Sequence, residues 1–149
     1  MDEKLSIQIW VWYLADEFKP VLELCVLCQA LEFLSLEAVE QSSTIAYCPA
    51  CEVWSDMMLP LNNFLENFPE RLTQEMRIKI ERLWNICNEL SEVAFHCDDY
   101  EIFHNQEWNQ VRSEAREILS VVDWQNVKND ADDLMLKCRM SLYPYMYKH

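Results

Sequence analysis

The chain has 149 residues, enough for one domain with a real hydrophobic core, and 51% of them are apolar, which excludes a disordered chain. It contains no glycine, which removes the glycine-rich phosphate loops and argues against a fold built on tight hairpins. With 12 Lys and Arg against 26 Asp and Glu, the formal charge is −14. Phosphate backbones and anionic membranes are therefore disfavoured as partners, and basic surfaces are favoured.

The opening residues Met1-Asp2-Glu3-Lys4 lack a basic leader, and no small-residue cleavage site follows, so the chain is expected to act in the cytoplasm. The apolar run from Leu5 to Leu34 is broken by Asp16, Glu17, Lys19, Pro20, Glu23 and Glu32 and does not read as a membrane span. Leu5 to Phe18 reads as a helix, although Ile7, Ile9, Val11 and Tyr13 alternate as in a strand. On a helix, Trp10 and Trp12 cannot both face inward. After Pro20, Val21 to Glu40 reads as a second helix, and Gln41-Ser42-Ser43-Thr44 as a loop. Pro49 to Phe68 reads as one or two short helices bent at Pro60.

The second half carries the clearest periodicity. Ile80, Leu83, Cys87, Leu90, Ala94 and Cys97 follow a 3, 4 spacing that predicts a long helix from Pro69 and Glu70 to Cys97. Trp108, Val111, Ala115, Ile118 and Val122 predict another, with Asn105 as its N-cap. Trp124, Val127, Ala131, Leu134 and Cys138 predict a last helix capped by Asp123, and the tail from Tyr143 to His149 is expected to be irregular. The fold class is all-α: a single domain over 1–149, an irregular bundle of six or seven helices.

Chemistry-bearing residues fall into three groups. Cys25-Val26-Leu27-Cys28 is followed, nineteen residues on, by Cys48-Pro49-Ala50-Cys51. Two such pairs match the spacing of a structural four-thiolate zinc site, with Cys25, Cys28, Cys48 and Cys51 as ligands. The first pair lies in an apolar helical run, where cysteines three apart are ordinary core residues. With no secretion signal, the seven cysteines read as reduced thiols or metal ligands rather than as a disulfide framework. The second group is His96-Cys97-Asp98-Asp99 with Glu101 and His104. It has the residue types of a nucleophile and base, but Cys97 completes an apolar stripe and His96 falls at a helix end. The third group is acidic: Asp98, Asp99 and Glu101, then Asp130, Asp132 and Asp133. No cleft is marked around either acidic cluster, so both read as solvated faces suited to a basic partner, and the chain is expected not to be an enzyme. Between Lys19 and Arg71 there is no Lys or Arg, yet that stretch holds Glu23, Glu32, Glu37, Glu40, Glu52, Asp56, Glu66 and Glu70. Trp54, beside it, is a candidate exposed anchor.

The stretch from Leu65 through Leu119, with Cys97-Asp98-Asp99-Tyr100-Glu101-Ile102-Phe103 between two amphipathic helices, resembles the small acidic immunity proteins of bacterial toxin–immunity pairs, including those of contact-dependent growth inhibition. The resemblance implies a protein that binds a toxic nuclease domain and blocks its active site by matching the acidity of nucleic acid. It transfers no individual residue. The candidate partner-binding residues are Asp98, Asp99, Glu101, Asp130, Asp132, Asp133 and Trp54. The competing reading is a zinc-stabilised helical adaptor.

Overall fold

The computed structural model describes residues 4–146; residues 1–3 and 147–149, the last of them the end of the tail expected to be irregular, lie outside the described residues. The α-helices run α1 Leu5–Leu14, α2 Phe18–Ser35, α3 Ala38–Thr44, α4 Pro49–Val53, α5 Leu59–Asn67, α6 Gln74–Asn88, α7 Trp108–Val122 and α8 Ala131–Leu142. A π-helical turn, Trp54–Met58, joins α4 to α5, so Pro49–Asn67 forms one continuous segment. Among the described residues there is no strand. The all-α irregular bundle is thus the observed fold, and the strand reading of Leu5–Leu14 gives way to a helix.

The bundle is organised around α2, which packs against α1, α5, α7 and α8. Its sequence explains that position. Val21, Leu24, Leu27, Leu31 and Leu34 are all buried, and so are Cys25, Cys28 and Ala30, so no face of the helix is polar throughout. A helix that is apolar nearly all round belongs in a core. Each such large side chain contributes ~1.5–3 kcal/mol by leaving water. Pro20 sits in the first turn of α2, where a missing N–H costs least. α1 buries Ile9 and Trp12 and leaves Trp10 outward, as the helical spacing requires.

The missing glycines are replaced at two points. Asp16, between α1 and α2, has φ 62°, and Asp123, at the C-terminus of α7, has φ 64°. Both lie in the left-handed region, which Asp tolerates better than most residues. Asp123 therefore ends α7 rather than capping the last helix; two short 3-10 turns, Trp124–Asn126 and Lys128–Asp130, precede α8.

Other boundaries also move. The second helix stops at Ser35, and residues 41–44, expected to be a loop, form the second half of α3. Pro60 lies in the first turn of α5, directly after the π-helical turn. It has no N–H for the Asp56 carbonyl, and the π-helical turn re-registers the ladder around it. The long helix expected from Pro69 to Cys97 is cut at both ends. Pro69–Arg71 is a 3-10 turn, and the Thr73 hydroxyl caps α6 by accepting from the Met76 N–H at 3.1 Å. At the other end α6 stops at Asn88. Beyond it the Ser91 N–H donates to Glu107 at 3.0 Å, and the buried Trp108 indole N–H donates to the Ala94 carbonyl at 2.8 Å. These bonds, from Glu107 just before α7 and from Trp108 at its start, hold the 91–97 segment as an irregular turn, so Ala94 is buried without being helical and Cys97 is exposed rather than part of an apolar stripe.

Candidate functional site

The structure separates the two CxxC pairs. Cys25 and Cys28 face the core from the middle of α2 and are fully buried. Burial pushes the Cys25 thiol up to about 12, and the nearby Cys138 adds to that shift. The Cys28 thiol is likewise held well above its ordinary value by burial. A thiol held protonated in this way is neither a nucleophile nor a ready metal ligand. The four-cysteine set Cys25, Cys28, Cys48 and Cys51 is therefore not assembled.

Cys48 and Cys51 instead meet Cys97. Cys48 precedes α4 and Cys51 lies in its first turn, with Pro49 fixing the start of the helix between them. Cys48 is joined to Cys97 by a disulfide with Cα atoms 5.0 Å apart. The Cys51 Sγ lies 3.3 Å from the Cys97 Sγ. All three sulfurs fall within 4.8 Å of one another, close enough to hold a metal ion. The same cluster is thus also close enough for a disulfide, contrary to the expectation of reduced thiols throughout. Cys51 and Cys97 are exposed and Cys48 is half-buried.

The segments that carry these cysteines are clipped together by more than sulfur. α3 packs on the 3-10 turn Tyr100–His104. The Ser42 hydroxyl donates to the Tyr100 carbonyl at 2.8 Å, and the Tyr100 hydroxyl donates to the Tyr47 carbonyl at 2.5 Å. Beneath them Arg112, almost fully buried on α7, donates to the Leu36 carbonyl at 3.0 Å, to the Gln41 side-chain oxygen at 3.0 Å and to the Phe103 carbonyl. Desolvation is the main pull on the Arg112 pKa, downward, and these acceptors take up its fixed charge.

Two stretches without Lys or Arg, 20–70 and 83–111, are thereby joined at one end of the molecule. That end carries Glu40, Glu52, Asp98, Asp99 and Glu101. Among the described residues none of these pairs with a Lys or Arg; Glu101 faces only His104, at 3.1 Å. Asp99 also caps the 3-10 turn by accepting from the Glu101 N–H at 2.8 Å. The other acidic group is differently placed. Asp130 is exposed ahead of α8, Asp132 accepts from the Gln29 side-chain amide at 3.0 Å, and Asp133 pairs with Lys137 at 2.9 Å. Trp54 is half-buried and lies against Trp84, with ring centroids 5.2 Å apart. The most exposed aromatic of the acidic end is Tyr47, at 79% exposure, with Tyr100 beside it also exposed. Tyr47 follows Ile45 and Ala46 and precedes Cys48-Pro49, so no local polarity marks it as exposed. Among the described residues no helix is long and apolar enough to cross a membrane.

Comparison with protein-family models, with curated proteins and with solved structures returned no match.

Proposed function

We propose that this chain is a non-catalytic, acidic interaction protein of the cytoplasm that binds a basic protein surface, and that it acts as an inhibitor of the immunity type against a basic toxin domain such as a nuclease. The observation that carries the reading is the joining of two cation-free stretches into one end, where Glu40, Glu52, Asp98, Asp99 and Glu101 have no Lys or Arg partner among the described residues and stand beside the exposed Tyr47. Unpaired carboxylates raise the on-rate toward a positive surface, and an exposed tyrosine is a suitable anchor once contact is made. Nucleic acid and anionic membranes are repelled by the same charge.

The test is affinity capture from the native host at low and moderate salt, with the parent chain beside a D98K/D99K/E101K variant. A basic protein should be retained stoichiometrically by the parent, less at moderate salt, and lost from the variant. Retention that ignores both salt and charge reversal, or retention of nucleic acid instead, sinks the proposal.

A second reading is favoured by the approach of Cys48, Cys51 and Cys97 to within 4.8 Å. In it the chain is a zinc-stabilised helical adaptor, with Cys97 in place of Cys25 and Cys28. Zinc is the natural ion for a thiolate set that performs no redox cycle of its own at the metal.

A further inference from the structure

We infer that Cys48, Cys51 and Cys97 form a redox-gated zinc site: the reduced cluster binds Zn²⁺ through three thiolates, and closure of the Cys48–Cys97 disulfide expels it. This rests on the zinc reading just given and adds its ligand set and its regulation. The geometry supplies both states from nearly the same positions. One pair of sulfurs is already bonded, and the third lies 3.3 Å from Cys97. Tetrahedral Zn–thiolate bonds of about 2.3 Å place ligand sulfurs somewhat under 4 Å apart. Opening the disulfide and moving its sulfurs by a small amount therefore converts one state into the other.

The surroundings bias the reduced cluster toward a divalent cation. Glu52, Asp98 and Asp99 flank the cysteines, and no Lys or Arg lies in either stretch that carries them. Three thiolates without a counter-charge would repel one another and their neighbours. The reduced cluster is thus either protonated or metal-bound. Binding exchanges three thiol protons for the ion, leaving a three-thiolate complex of net charge −1 with its fourth position open to water. The disulfide removes two of the three donors, and the single remaining thiol of Cys51 does not make a zinc site.

The interconversion balances with a peroxide as oxidant. The sulfurs of Cys48 and Cys97 give up two electrons and form the S–S bond. Peroxide takes them with three protons to yield two waters and the protonated Cys51 thiol, and Zn²⁺ departs. A thiol reductant reverses the step by taking both sulfurs' bond into its own disulfide. The exposure of Cys51 and Cys97 admits the ion, the oxidant and the reductant. Cys25, Cys28, Cys87 and Cys138 are buried and stand outside this chemistry.

The experiment uses the full chain. One sample is reduced with a phosphine and freed of it under nitrogen, another is left with its disulfide, and each is given zinc chloride, desalted and analysed for metal. Cobalt(II) in place of zinc reports thiolate ligation by its absorption. The reduced chain should retain stoichiometric zinc and lose it on addition of peroxide, with loss of the Cys48 and Cys97 thiols. The disulfide form should retain none. Cys51→Ser leaves the disulfide intact at an exposed position, so it should fold as the parent does and fail to hold zinc when reduced. The double variant C25A/C28A should hold zinc like the parent. If the reduced chain retains no zinc, the zinc reading falls and the gate with it. If both forms retain zinc equally, the gate falls while the zinc reading stands. If Cys51→Ser keeps zinc and C25A/C28A loses it, the ligand assignment is overturned.

Discussion

Two CxxC pairs of identical spacing end in opposite chemical situations. Cys25 and Cys28 sit one turn apart in the middle of a helix that is buried on nearly every side, and their thiols are locked in the protonated form. Cys48 and Cys51 straddle a helix start at the surface and have a third sulfur within reach. The spacing sets only how far apart two sulfurs can be along the chain. Whether they are donors depends on the backbone beneath them and on the water around them, and here α2 withholds both from the first pair.

The comparison can be broken most severely by charge. Cys28→Asp puts a carboxylate at a position with no solvent exposure, and should cost more than ~4 kcal/mol. Cys51→Asp at the exposed position should change stability by no more than about 0.5 kcal/mol. Urea unfolding of the two variants, both with the disulfide intact, gives the difference; equal losses would mean the pairs are not distinguished by burial.

A smaller effect tests what holds Cys97 in place. Trp108→Phe keeps a ring in the core but leaves the Ala94 carbonyl without its 2.8 Å donor. The expected loss is about 1–3 kcal/mol. Faster amide exchange should accompany it across 91–97, while the middle of α2 keeps its protection. An unchanged 91–97 segment would show that the turn is held by other bonds.

A graded probe that needs no substitution is alkaline pH. The Cys25 thiol rises from its ordinary 9.0 to about 12 on folding. Below pH 9 both folded and unfolded chains keep the proton and pH has no effect through this group. Between about 9 and 12 the unfolded chain gives it up and the folded chain does not, so stability falls as pH rises, by roughly 1.4 kcal/mol per pH unit for each such thiol. C25A/C28A should show a shallower decline than the parent in this window, measured by urea midpoint against pH.

Much of the fold was legible because helical stripes state their own burial. Trp108, Val111, Ala115, Ile118 and Val122 all lie in the core, as do Trp124, Val127, Ala131, Leu134 and Cys138, even though Trp124 sits on a 3-10 turn and Val127 lies between two of them. The stripe that misled was the one ending in Leu90, Ala94 and Cys97. Its period continued, but Ser91 and Ala94 form bonds to Glu107 and Trp108 that a helix would have denied them. The site was half legible for the same reason. Cys48-Pro49-Ala50-Cys51 reads as a helix start that carries two sulfurs, and in the structure it is one, with Cys48 bonded to Cys97 and Cys51 free. Its partner Cys97 was visible as a residue but was placed on a helix face, and only the tertiary bonds of the 91–97 segment turn it toward Cys48. The acidic end was legible as two separate runs of charge; that they share one end follows from contacts between α3 and the Tyr100–His104 turn, which no local pattern encodes.

The two left-handed aspartates, Asp16 and Asp123, bear on the unfolded chain as well as the folded one. With ordinary usage a chain of this length would carry about ten glycines. Each glycine replaced by a residue with a Cβ, at a site that does not need positive φ, narrows the denatured ensemble by ~0.4–1 kcal/mol of entropy. Only two described positions need it, and both are filled by side chains that tolerate the strain. The accumulated restriction is on the order of the whole net stability of a small domain. Part of what favours this bundle is therefore the stiffness of the disordered chain it competes with.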